Sequence, residues 1–194
     1  MTITHQVCVY PKEVTLRDGS TVIFRPLEAG DEAPLLLLFG SLSENDRYYL
    51  KDDVTSPAVI GQWVHDRELG KARTIVAVAN DGRTVAEGAL VGRRGAARRH
   101  LADARLVVAE DFRNRGLGTA LLGEVCDIAR EGGLRGVVME AVEDKQADAL
   151  AAADWLGFVR LGRIAGGAMD EDGRLHDLVL LALPIARWRQ LPEF

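Results

Sequence analysis

The sequence predicts an α/β domain of mixed type, with one central, mostly antiparallel sheet flanked by helices and an N-terminal β-hairpin. Three observations lead there. Two alternating apolar runs surround Asp18-Gly19, three more strand-like runs follow a helical stretch, and the second half alternates helix and strand before two closing strands. At 194 residues, one domain spanning 1–194 is expected, with its core at about 14–184.

The elements follow in order. Val14-Thr15-Leu16 and Thr21-Val22-Ile23-Phe24 are strands joined at Asp18-Gly19, a strong short-range hairpin signal. Pro26 stops the second strand, and Asp31 offers an oxygen to cap a helix running through Leu35 to Phe39 and ending near Gly40. Ser43 and Asp46 mark the cap of a short second helix, and Thr55 to Asp66 forms a third, entered after Pro57 and ended before Gly70. Thr74 to Ala79, Val85 to Val91 and Asp103 to Val108 read as a strand meander. Leu117, Leu121, Val125 and Ile128 make one apolar face on a helix from Leu117 to Arg130, closed by Gly132-Gly133. A strand at Gly136 to Val142, a helix at Lys145 to Leu156, and strands at Phe158 to Ile164 and Leu175 to Leu183 complete the chain, with Pro184 closing the sheet.

Composition narrows the function. A net charge of -5 argues against nucleic acid as partner, because that affinity comes from clustered Lys and Arg displacing counterions. Cys8 and Cys126 are far apart and offer neither a disulfide framework nor a metal quartet, and His65, His100 and His176 have no metal-ligand spacing, so no metal is expected. Met1 to Tyr10 lacks a basic segment followed by an apolar run, and no stretch approaches the ~20 apolar residues that span a bilayer. The expectation is a cytoplasmic protein with no membrane partner.

The chemistry concentrates in Val107 to Thr119, where a strand, a basic turn and two glycines lead directly into a helix. First-turn amides of a helix have no intrahelical partner and carry the positive end of its dipole, and Gly116 and Gly118 let phosphate oxygens approach the main chain. Arg113 and Arg115 add positive charge and Thr119 a hydroxyl. No Lys-Ser or Lys-Thr follows the glycines and no third glycine lies three residues beyond Gly118, which disfavours nucleotide-triphosphatase and dinucleotide loops.

Arg113-Asn114-Arg115-Gly116-Leu117-Gly118 resembles the pyrophosphate loop of the GNAT superfamily of N-acetyltransferases. Arg25-Pro26-Leu27, Asp31, Ala149 and Gly157-Phe158 stand where that family's entry and later helix belong, so the resemblance runs from about Val14 onward. The opening Leu16-Arg17-Asp18-Gly19 is similar to GNAT domains of bacterial protein lysine acetyltransferases. The resemblance implies acetyl-CoA as co-substrate, held by Val107, Val108, Arg113, Asn114, Arg115, Gly116, Leu117, Gly118 and Thr119. It implies a primary amine as acceptor, attacking the thioester directly in a ternary complex with a main-chain N–H near Val108 stabilising the oxyanion. A homodimer is common in the fold.

The same resemblance places the catalytic acid at Asp103, where the family has Glu, with Glu87 and Glu140 on the flanking strands as the next candidates. Asp sets the carboxylate back by about 1.5 Å, one carbon–carbon bond. Gln146 and Ala153 stand where many members have Asn and Tyr, so the usual thiolate-protonating hydroxyl is absent there; Tyr48 and Tyr49 read as partly buried packing residues, with substitution for that hydroxyl as the alternative. These departures raise the alternative of a module that binds acyl-CoA without turnover. Arg93, Arg94, Arg98 and Arg99 read as a solvated hairpin tip, Cys126 as a core residue, and Trp63, Trp155 and Trp188 as packing residues, with Trp155 near the Gly157 turn.

Overall fold

The computed structural model describes residues 8–68, 72–93 and 95–188. The expected helix end before Gly70 and the side chain of Arg94 lie outside them. β1 (Lys12–Thr15) and β2 (Thr21–Pro26) form the hairpin, with Thr15 opposite Thr21. Helices α1 (Glu32–Gly40), α2 (Glu44–Tyr48) and α3 (Pro57–Glu68) follow. The Ser43 hydroxyl caps α2 by accepting from the Asp46 N–H at 3.1 Å.

Asp31 departs from its expected role. Its side chain makes no cap bond to α1. It is buried and accepts both Arg25 guanidinium nitrogens at 2.7 Å and the Glu28 N–H at 2.7 Å. A bidentate partner on the preceding strand outcompetes a helix terminus for the same two oxygens.

Next come β3 (Ala72–Ala79), β4 (Thr84–Gly92), β5 (Leu101–Val108), α4 (Leu117–Glu131), β6 (Gly136–Val142), α5 (Ala147–Trp155), β7 (Val159–Met169) and β8 (Leu175–Pro184). β7 outruns its expected end at Ile164 because Gly166-Gly167 is absorbed in an irregularity of the ladder between Ile164 and Ala168 instead of ending the strand. The eight strands form one sheet in the order β1-β2-β3-β4-β5-β6-β8-β7, antiparallel except between β5 and β6.

Helix α4 is the packing centre. Leu117, Leu121, Val125 and Ile128 are all buried, as their spacing predicts. Gly88 on β4 lets the helix sit close, since a Cβ there would lie 2.9 Å from the Leu121 Cγ. The opposite side of α4 is covered too: buried Glu124 accepts from the Tyr10 hydroxyl at 2.8 Å and the Lys12 ammonium at 2.5 Å, and buried Asp127 accepts from the Trp188 indole at 2.8 Å. Cys126 is fully buried and burial pushes its thiol up to about 12, which fits an inert core residue. Among the described residues no helix is long and apolar enough to cross a membrane.

Because Gly88 faces α4, strand alternation turns Glu87 and Ala89 to the other face, where α1 packs on β4 and α3 on β3. Gly88→Ala is expected to lower stability by about 1–3 kcal/mol through overpacking, measured by urea unfolding. The smaller Leu121→Val, added to it, should recover part of that loss, whereas two simply additive losses would place the strain elsewhere.

Candidate active site

The site begins where two strands part. β5 pairs with β4 along its length, from Gly92–Ala102 to Ala86–Val108, and β6 pairs with β8 from Gly136 to Val142. Between β5 and β6 the pairing covers only Leu101–Gly136, Ala102–Val137 and Asp103–Val138. Beyond Asp103 the strands diverge. The Ala109 N–H bonds to the Val85 carbonyl on β4 at 2.9 Å, so alternation along the strand turns the main-chain groups of Leu106 and Val108 away from β4 and into the opening. Val107 is the converse: its main chain is committed to β4 and its side chain lines the cavity below.

The mouth of the opening is the loop between β5 and α4. Asn114 (φ 61°) and Gly116 (φ 85°) both take the left-handed conformation. That conformation costs a β-carbon-bearing residue, and Asn tolerates it better than most. Among the described residues, none of the chain's hydrogen bonds is donated by the main-chain N–H groups of residues 114–119, while Ala120 already bonds to the Gly116 carbonyl at 3.0 Å. These N–H groups and the α4 dipole converge on one spot, an arrangement suited to a diphosphate. Leu117 is buried and contributes only its amide, and Thr119 lines a concavity beside the loop.

The two loop arginines are not aimed as expected. Arg113 turns inward, donating from Nε to the Val108 carbonyl at 3.2 Å and pairing with Asp46 of α2 at 3.0 Å. Arg115 lies 4.8 Å from the centre of the Phe112 ring and pairs with Asp18 of the hairpin at 3.0 Å. Carboxylates already in reach satisfy both guanidinium groups, so they brace the loop. Sequence reasoning missed Arg17, which lies over Gly116 with Nε 3.2 Å from where a Cβ would stand, and whose N–H bonds to the Arg115 carbonyl at 2.9 Å. Arg17, Lys12, Arg115, Thr119, Trp155 and Trp188 all border that concavity of about 550 Å3. The Arg17-Asp18-Gly19 turn was read for its hairpin, and only the docking of that hairpin on the loop reveals the arginine's second use.

On the opposite face lies a cavity of about 700 Å3, floored by β4, β5 and β6 and walled by α3, the segment 48–54 and the β7–β8 hairpin. Glu87 opens into it and is only 2 % exposed. Burial pushes its carboxyl up to about 8, against a smaller opposing pull from Arg105. The segment 51–52 straddles the parted strands: Lys51 pairs with Glu140 on β6 at 2.9 Å and Asp52 with Arg105 on β5 at 2.5 Å. The Tyr49 hydroxyl and Arg105 Nε are buried without a hydrogen-bond partner. Tyr49 packs edge-on to His176, which sits between Asp170 at 3.1 Å and Asp144 at 2.8 Å. Burial, helped by the nearby Asp170 and Asp144 carboxylates, raises the pKa of the Tyr49 phenol.

Asp103 is placed differently from Glu87. It lies at the last paired position before the strands part, outside the cavity wall, and Arg93 grips both its oxygens at 2.7 and 3.1 Å. Gln146 precedes α5 and its carbonyl accepts the Val142 N–H at 2.8 Å, closing one donor of the β6 edge. Ala153 is fully buried, so that position presents no polar group to the opening.

The sequence profile of the acetyltransferase (GNAT) family matches residues 41–158. No curated protein matches the chain significantly by sequence. Among solved structures, a GNAT-family acetyltransferase of Streptococcus pneumoniae superposes with a TM-score of 0.75 at 21 % identity, covering 84 % of this chain and 99 % of its own. Salmonella typhimurium yncA, solved with its cofactor acetyl-CoA, gives 0.75 at 18 % identity, covering 89 % and 99 %. The GNAT domain of S. lividans PAT gives 0.71 at 22 %, covering 89 % and 96 %. With the parted strands, the amide-lined loop and the profile match in agreement, the chain belongs to the GNAT family of acetyltransferases, enzymes of acetyl-CoA-dependent N-acetyl transfer.

Proposed function

We propose that this chain transfers an acetyl group from acetyl-CoA to a primary amine, on a small molecule or a protein lysine, by direct attack in a ternary complex. The observation that carries the reading is the run of N–H groups at residues 114–119, without hydrogen-bond partners among the described residues and opening beside the gap between β5 and β6. Those amides hold the diphosphate, Arg17 supplies a cation above it, and the main-chain groups of Leu106 and Val108 hold the arm that enters the gap. Acetyl-CoA supplies the acetyl group as a thioester, with a thiolate as leaving group.

Glu87 takes the role that the family resemblance suggests for Asp103. It is buried, lines the acceptor cavity and neighbours Val107 across the ladder, whereas Asp103 is spent on Arg93. The amine loses a proton to Glu87 as its nitrogen bonds to the acetyl carbon, and a main-chain N–H of β5 stabilises the oxyanion. The C–S bond then breaks, and Tyr49, kept protonated by its surroundings, returns a proton to sulfur. An unpartnered buried phenol at that wall supports turnover over the alternative of a module that only binds acyl-CoA.

Two outcomes test this. Gly118→Asp places a carboxylate in the first turn of α4, where the dipole favours it, so the melting temperature should hold or rise. Calorimetry should nonetheless show acetyl-CoA affinity falling by roughly a hundredfold, and Arg17→Ala by about tenfold. Unchanged binding in Gly118→Asp would remove the loop from the cofactor site.

Glu87→Gln should cut kcat by about 10²–10⁴-fold. With an acceptor whose own pKa lies well below 7, wild-type kcat/KM should rise up to about pH 8 as Glu87 ionises and then level. The variant should lack that limb. Stability runs the other way: the raised carboxyl favours the fold below its unfolded value, and that contribution disappears as pH climbs through about 8. Wild type should therefore lose melting temperature relative to Glu87→Gln between pH 5 and 9. An unaltered pH–rate profile in the variant would return the base to Asp103 or Glu140.

A further inference from the structure

Every charged side chain that lines the acceptor cavity, apart from Glu87, has a partner within the chain. Lys51 is matched by Glu140 and Arg105 by Asp52. Asp66 accepts from the Gln62 amide at 3.0 Å. Glu87 has neither a hydrogen bond nor an ion pair among the described residues, and the charge that acts on it, Arg105, is already balanced by Asp52. The remaining surface is largely apolar: Phe39 and Trp63 meet edge-on with ring centres 5.6 Å apart, and Leu50, Val54, Leu106 and Met139 continue the wall. A volume of about 700 Å3 suits a small molecule.

From this charge balance, and resting on the acetyltransfer reading above, we infer that the acceptor is a small primary amine with an apolar aliphatic or aromatic body and no second charge. Its amine meets Glu87 and its body meets Trp63, Leu50 and Leu106. An α-carboxylate finds no unpaired cation, since both cations of the wall are matched by carboxylates. A second ammonium finds Glu140 held by Lys51 and Asp52 by Arg105 once Glu87 is used, with Asp66 already engaged at the α3 wall. In either case a charge is buried without a partner, which strongly disfavours binding. Of the two unpartnered donors among the described residues, the Tyr49 hydroxyl is assigned to sulfur and Arg105 Nε suits a neutral oxygen, because another carboxylate would place two negative charges on one guanidinium.

The test compares two amine pairs, each differing by one charge: 2-phenylethylamine against phenylalanine, and hexylamine against 1,6-diaminohexane. Calorimetry first measures acetyl-CoA on the full chain, and acetylation and amine binding to the CoA-loaded protein are then measured for each amine. The expected result is kcat/KM higher by roughly tenfold or more for the singly charged member of each pair. Trp63→Ala should raise KM for 2-phenylethylamine about tenfold while leaving KM for acetyl-CoA in place, a split that general unfolding would not produce. With acetyl-CoA bound, preference for phenylalanine or the diamine, or binding of none of the four, overturns the acceptor class and leaves the acetyltransfer reading standing. Absence of acetyl-CoA binding overturns that reading itself.

Discussion

Everything functional here depends on the parting of β5 and β6 after the Asp103–Val138 pair. A sheet that kept its ladder would spend the main-chain groups of Leu106, Val108, Glu140 and Val142 on each other. Each strand instead follows its other neighbour, β5 staying with β4 and β6 with β8. The opening thus exposes strand edge in the middle of the molecule, where an extended chain can add to it. A side chain closes one main-chain group on each edge. Gln146 satisfies Val142 on β6 and Arg113 satisfies the Val108 carbonyl on β5.

Around that opening the chain separates two electrostatic environments. At the mouth, main-chain dipoles and Arg17 favour negative charge without a lysine-rich surface, in a chain whose net charge is -5. On the opposite face, Lys51 pairs with Glu140 and Arg105 with Asp52, and one buried carboxyl has neither an ion pair nor a hydrogen bond among the described residues. That residue, Glu87, is buried, and burial raises its carboxyl to about 8.

The two halves are mechanically joined. Arg113 ties the loop between β5 and α4 to Asp46 of α2, directly before the segment whose Lys51 and Asp52 span the parted strands. The hairpin grips the same loop through the Arg17–Arg115 main-chain bond and the Asp18–Arg115 pair. Helix α4, covered on one side by the sheet and on the other by Tyr10, Lys12 and Trp188, holds the loop at a fixed height above the opening. Order in the loop before α4 and order in the cavity wall therefore share residues.

The sequence by itself determined the elements and the family. Alternation around Asp18-Gly19, the three- and four-residue spacing of Leu117 to Ile128, and the Gly116-x-Gly118 turn into a helix are local signals, each set by backbone geometry within a few residues. They located the glycine-containing loop before α4 without reference to anything distant. Only the tertiary structure decided which charged side chains remain available, because that depends on partners far along the chain. Asp103 lost its availability to Arg93, Arg113 to Asp46 and Arg115 to Asp18, whereas Arg17 and Glu87 kept theirs. Burial and pairing are properties of neighbours in space, and a carboxylate on a strand reads the same in sequence whether it faces an arginine or an empty cavity.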